Sequence, residues 1–172
     1  MPEPADGRLR KGERRRRALL DATLRLVGRD GTGAVTQRAV AAEAQVPPSA
    51  VLYYFASVDE LLVSALATVN DRYIDRLAGV RTVAELVVAL GEWGSRHDLS
   101  LTVAEYELLL FAARRPDLAH ELRRWDDALA AAAVRLLPDD PQRRPLLVAC
   151  VNGLCLAAAL GAPEDPSVLL RI

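Results

Sequence analysis

Hydrogen-bond donors crowd into the first third of this chain. Thr36, Gln37 and Arg38 are consecutive, and Ser49, Tyr53 and Tyr54 follow a Pro47–Pro48 pair. Upstream lies an arginine run, Arg14 to Arg17. Hydroxyl, amide and guanidinium donors at this density suit a partner rich in acceptor oxygens, as a phosphate backbone is. The rest of the chain is poor in reactive groups. His97 and His120 are far apart, and with Cys150 and Cys155 they show no metal-ligand spacing. There is no nucleophile motif, phosphate loop or dinucleotide fingerprint. Glu105 and Glu107 are two apart and point different ways on a helix. These absences predict a binding protein rather than an enzyme, with no cofactor and no metal.

Charge is distributed in the same sense. Residues 8–55 hold ten Lys/Arg against four acids, a balance of +6, whereas residues 56–172 hold twelve Arg against seventeen acids, a balance of −5. A basic head on an acidic body points to a polyanion partner for the head, although a solvated charged tail fits the asymmetry equally. Because 21 of the 22 basic residues are Arg, the run at 13–17 reads as a phosphate-reaching arm or as a solvated helix face.

Helices must position these groups. Hydrophobic residues make up 51% of the 172 residues and aromatics 5%, a composition that suits packed helices better than a β-sandwich. After a flexible leader, residues 1–8, Leu20, Leu24 and Val27 recur at helical spacing and predict a helix from about Arg10 to Val27. Gly28, Gly31 and Gly33 end it with cheap positive-φ positions. Thr36 caps a short helix over Gln37 to about Ala44. Proline lacks an N–H and fits the first helical turn, so Pro47–Pro48 begins a second short helix reaching Tyr54. Ser57 caps a long helix over about Val58–Ala78, which Gly79 ends. Further helices are predicted at about 82–96, 100–114, 117–136 and 142–161, with Asp117 as a cap and the tail after Pro163 too short to matter. The result is an all-α chain with a helix-turn-helix head over residues 9–57 and a helical body over 58–172.

Two short helices at a tight turn, braced by a third, can set the second helix in a DNA major groove. That groove is about 12 Å wide, so two helical turns reach the base edges. Ser49 and Ala50 then face the groove, where the Ala50 methyl meets a thymine methyl, and tyrosines at the far end meet phosphates and sugars. Thr36 binds phosphate while capping its helix.

At these residues the chain resembles the TetR/AcrR family of bacterial transcriptional repressors. The resemblance is carried by GTGAVTQRAVAAEAQVPPSAVLYYFASVDELL, in which Gly33, Thr36, Val40, Ala41, Val46, Tyr53, Tyr54, Phe55, Ser57, Glu60, Leu61 and Leu62 fit the family pattern. It covers about residues 14–66. The body matches in helical outline and in VNGL near residue 152. Several positions depart from the pattern. Gln45 stands for the turn glycine, at a left-handed cost of about 1 kcal/mol. Pro47 stands for a capping Ser, Pro48 for a polar or basic DNA contact, Ser49 for Gly, Leu52 for a phosphate-binding Tyr and Val58 for Lys. The phosphate clamp then leans on Arg14 to Arg17, Thr36, Arg38 and Tyr53. DNA contacts are expected from Arg14, Arg17, Thr36, Gln37, Arg38, Pro48, Ser49, Ala50, Leu52, Tyr53 and Tyr54, with Phe55 in the core.

The resemblance further implies a homodimer on a pseudo-palindromic double-stranded operator and a small-molecule effector that releases it. Trp93, His97, Tyr106, Trp125 and Asn152 are the effector candidates, although core packing is the commoner fate of each such residue. The dimer is expected through the helices at 117–136 and 142–161. Leu146 to Ala162 carries no charge, but it falls short of the roughly 20 residues a membrane span needs and reads as a buried helix. No apolar N-terminal segment resembles a signal peptide, and the unpaired cysteines fit a reducing, cytoplasmic setting. Two other readings fit the same residues: a helical small-molecule carrier whose head has lost DNA binding, and a protein-interaction module.

Overall fold

The computed structural model describes residues 5–96, 99–162 and 164–171, apart from the side chains of residues 5–9, 93–96, 99–101 and 117. Every regular element among them is helical. Helix α1 spans Ala5–Asp30, so the expected leader is helical from residue 5. No proline interrupts this stretch, and its arginines are good helix formers. The run at 13–17 is therefore a helix face and not an extended arm. The helix also passes through Gly28. Of the three glycines expected to end it, only Gly31 takes a positive φ, at 81°.

Helix α2 (Gln37–Glu43), helix α3 (Pro48–Tyr54) and helix α4 (Val58–Gly79) follow. Thr36 caps α2 by accepting the Ala39 N–H at 3.1 Å. Ser57 caps α4 by accepting the Glu60 N–H at 3.0 Å, while the Glu60 carboxylate accepts the Ala56 N–H at 2.7 Å. This reciprocal pair fixes where α4 begins.

Helices α5 (Val83–Arg96), α6 (Leu99–Ala113), α7 (Ala119–Leu136) and α8 (Arg144–Ala159) complete the body. Three expectations are corrected there. The cap position of α7 is not Asp117: Pro116–Leu118 forms a 3-10 turn, and Leu118 holds that position without a side-chain bond. Pro116 presets a helical φ, so the chain is already winding at Asp117. The tail also matters. Pro166–Arg171 forms a 3-10 helix that packs on α5, with Leu169 buried. Lastly, the Leu146–Ala162 stretch is buried on one face only. Leu147, Val151 and Ala159 are buried, while Leu146, Leu156 and Leu160 are exposed.

Two buried clusters hold the molecule together. The first joins α1 to α4 with Ala104, Leu108 and Ala112 of α6, a stripe at i, i+4, i+8 that lies on α1. The second joins Leu77 of α4 to α5, α7, α8 and Leu169. Tyr73 packs against both.

Candidate nucleic-acid interface

The turn between α2 and α3 depends on one residue. Gln45 adopts φ 55°, the left-handed region. Its N–H donates to the Ala42 carbonyl at 3.1 Å, and the Val46 N–H donates to the Ala41 carbonyl at 2.9 Å. These paired bonds form a Schellman stop that satisfies carbonyls at the end of α2. Pro47 then occupies the cap of α3 and Pro48 its first helical position, with no side-chain cap.

The two faces of α3 separate cleanly. Val51 and Phe55, four apart, are buried. Pro48, Ser49, Leu52 and Tyr53 form the outward face at i, i+1, i+4, i+5, with Tyr53 81% and Leu52 55% exposed. Ala50 is half-buried. The Tyr53 and Tyr54 rings meet edge to face at 4.9 Å, but only Tyr53 stands out from the surface. Tyr54 is half-buried on the first cluster, and its hydroxyl lies against Gly12 of α1. Phe55 lies in the core as expected, with the Arg16 guanidinium 5.2 Å from its ring centre.

The end of α3 is thus seated against the arginine-bearing half of α1. Arg14, Arg17 and Arg38 are exposed and form no ion pair among the described residues. Arg25 and Arg29 instead bind Glu43 at 2.7 and 3.3 Å, and Arg72 binds Asp21 at 2.7 Å. Thr36 is exposed and Gln37 half-buried at the start of α2. Helices α3 and α4 meet at 70°, and buried residues of both, Val51 and Leu61 and Leu62, belong to the first cluster. No single helix among the described residues is long and apolar enough to cross a membrane.

The expected effector residues divide. Trp125 donates its indole N–H to the Asn152 amide oxygen at 3.0 Å, joining α7 to α8. Tyr106 is half-buried, and that burial raises its hydroxyl above the ordinary tyrosine range. His97 and the Trp93 side chain lie outside the described residues. Two groups missed from the sequence belong to the same region. The Tyr73 hydroxyl donates to Glu105, and the Tyr73 ring lies edge-on to Trp125 at 5.7 Å. The available signal was a hydroxyl within the apolar stripe of α4, because a buried tyrosine oxygen needs a partner. An open cleft of about 430 Å³ runs between α8 and the C-terminal 3-10 helix, past Cys150, Gly153, Asp165 and Arg171. Of the expected effector residues, Tyr106, Trp125 and Asn152 do not line it.

Two short helices at a tight turn, braced by a third and carried on a helical body, define a helix-turn-helix protein. Residues 19–65 match the family described as "Bacterial regulatory proteins, tetR family", and residues 75–172 match "Tetracyclin repressor-like, C-terminal domain". The chain belongs to the TetR family of DNA-binding, effector-responsive transcriptional regulators. It is 31% identical over 159 residues to the regulator BetI of Rhizobium meliloti, covering 85% of this chain and 78% of that protein. It is 32% identical over 110 residues to the nicotine-responsive repressor HdnoR of Paenarthrobacter nicotinovorans, covering 59% and 56%. Among solved structures, a TetR family member from Streptomyces coelicolor A3 is 33% identical with a TM-score of 0.76, over 91% of this chain and 96% of that one. The multidrug binding protein EbrR, complexed with malachite green, is 34% identical with a TM-score of 0.71, over 91% and 96%.

Proposed function

We infer that the protein is a homodimeric repressor that holds two α3 helices in successive major grooves of a pseudo-palindromic operator, and that a small molecule entering the body releases it. The observation that carries this reading is the outward face of α3, with Tyr53 81% exposed between a buried Val51 and a buried Phe55. Exposed Arg14, Arg17 and Arg38 supply the charge for the flanking phosphates. Half-sites are then spaced by one or more helical turns, about 34 Å each.

The dimer surface is the open face of α7 and α8. Along α8, Leu146, Ala149, Gly153, Leu156 and Leu160 are exposed at helical spacing, and along α7 Ala130, Ala131 and Val134 are. Small residues within an apolar stripe let a second copy approach closely, as an isologous four-helix contact requires.

The effector site is the region of Tyr73, Glu105, Tyr106, Trp125 and Asn152. Its aromatic lining suits a flat organic molecule, and relatives named for nicotine response and for dye binding agree with that class. Tyr73 lies on α4, which runs from this region to the head. A ligand that parts Tyr73 from Glu105 favours a different set of α4 and therefore a different spacing of the two heads.

Selection from random duplex DNA, with sedimentation of the selected complex, tests the reading. The expected result is a two-fold symmetric sequence bound by a dimer. A protein that enriches no sequence and sediments as a monomer overturns it.

A further inference from the structure

Base edges in the major groove are told apart by specific side chains. Arg or Lys pairs with guanine, Asn or Gln with adenine, and Asp or Glu with cytosine, while apolar groups meet the thymine methyl. Helix α3 holds none of the charged or amide residues in that set, because its sequence is Pro-Ser-Ala-Val-Leu-Tyr-Tyr. Its outward face is Pro48, Ser49, Leu52 and Tyr53, while Ala50 is half-buried and, two positions from both Pro48 and Leu52, lies on another side of the helix. Pro48 and Leu52 are four apart and so stack on one side of the helix. Leu52 leaves 55% of its surface in water. The exposed cations Arg14, Arg17 and Arg38 lie outside α3 on neighbouring helices, in a head whose balance is positive. The surface is thus an apolar strip within a basic surround, complementary to a groove floor bearing methyl groups between phosphate ridges.

We propose that α3 reads its half-site through thymine C5-methyl groups, with Pro48 and Leu52 packed against them, rather than through hydrogen bonds to guanine or adenine. This rests on the DNA-binding reading above and specifies its chemistry. Ser49 is the single short hydroxyl on that face, and it accepts or donates to any base, so it adds little discrimination. Burying one methyl group is worth roughly a 3- to 5-fold change in affinity. A half-site read in this way carries two or more thymines under α3.

The test uses the full-length protein and its selected operator, with thymines replaced one at a time by deoxyuridine. That change removes the methyl and keeps every hydrogen-bonding group. The expected result is a loss of about 3- to 5-fold at two or more positions in each half-site. Leu52→Ala is expected to abolish the penalty at one of them. Replacing guanines by 7-deazaguanine, which lacks the N7 acceptor, is expected to change affinity less than 2-fold. Full affinity in an all-deoxyuridine operator, or a large loss with 7-deazaguanine beneath α3, overturns the proposal while leaving DNA binding intact. Failure to select any operator overturns the DNA-binding reading, and this inference with it.

Discussion

The Tyr73 hydroxyl lies 2.7 Å from each carboxylate oxygen of Glu105, and so ties α4 to α6. Both helices contribute to the first buried cluster, and of the two only α4 continues into the second. Helix α6 lies along α1 through Ala104, Leu108 and Ala112, whereas α4 runs from the head into the second buried cluster. Burial, and then the Glu105 charge, hold the Tyr73 hydroxyl well above the usual tyrosine range, so it remains a donor at every physiological pH.

Tyr73→Phe keeps the ring and deletes this bond. A hydrogen bond to a charged group is worth about 1.5–3 kcal/mol, and a half-exposed carboxylate falls at the low end. Urea unfolding is expected to show a loss of about 1–2 kcal/mol. An unchanged midpoint would mean that the tie contributes nothing to holding the two clusters together.

Gln45 presents the opposite case, a position where the native residue is not the favoured one. Its φ of 55° places a Cβ in the left-handed region. Relief of that strain is worth about 1–2 kcal/mol, offset by roughly 0.4–1 kcal/mol of extra chain entropy for glycine in the unfolded state. Gln45→Gly is therefore expected to stabilise the head by about 0.5–1 kcal/mol, and Gln45→Val to destabilise it. Thermal unfolding reads both, and a lower Tm for Gln45→Gly would show that the glutamine side chain contributes more than its backbone costs.

The head was legible in the sequence because its punctuation is local. Thr36 and Pro48 mark helix starts within a turn of where they act, and the resemblance places Phe55 in the core. Tyr53 stood out for the same reason. Tyr54 was expected beside it as a DNA contact, and its half-buried seat against Gly12 was not legible because it is a contact across 42 positions of chain. Periodicity shows which face of a helix is buried but not what that face meets. Hence neither the Tyr73–Glu105 bond nor the packing of α6 on α1 was visible beforehand. Leu169 was missed because a six-residue tail has too few turns to show a period.

Tyr53→Ala removes a side chain that contributes almost nothing to the core. Operator affinity is expected to fall about 5- to 10-fold, the worth of one or two hydrogen bonds to phosphate, with Tm unchanged. Arg14→Ala and Arg17→Ala are each expected to lower the slope of log affinity against log salt by about 1, since each contact displaces one condensed counterion. Filter binding across a salt series separates these effects. A wild-type slope near zero would remove the basic face of α1 from the interface.

The exposed stripe of α8 makes its own demand. Leu156→Arg and Leu160→Glu alter exposed residues that belong to neither buried cluster, so helicity and Tm at low concentration are expected to hold. Sedimentation equilibrium is expected to shift from dimer to monomer, and operator affinity to fall steeply because two linked heads become independent. Variants that remain dimeric would place the interface elsewhere.

Cys155 tests the body interior by chemistry rather than by binding. Burial, reinforced by the Glu105 charge, raises its thiol from 9.0 to about 11. The thiolate is the reactive form, so Cys155 is expected to resist iodoacetamide at pH 8 in the native protein and to react readily in urea, as read by peptide mass spectrometry. The same shift carries a sign for stability. Between pH 9 and 11 the folded chain keeps a proton that the unfolded chain releases, so unfolding becomes more favourable as pH rises through that window. Cys155→Ala removes this part of the slope. Equal alkaline slopes in the two proteins, or rapid native alkylation at pH 8, would show that the α6–α8 contact around Glu105 and Tyr106 is open to water. A ligand filling that region is expected to slow the native reaction further, so the same assay reports occupancy of the body independently of DNA.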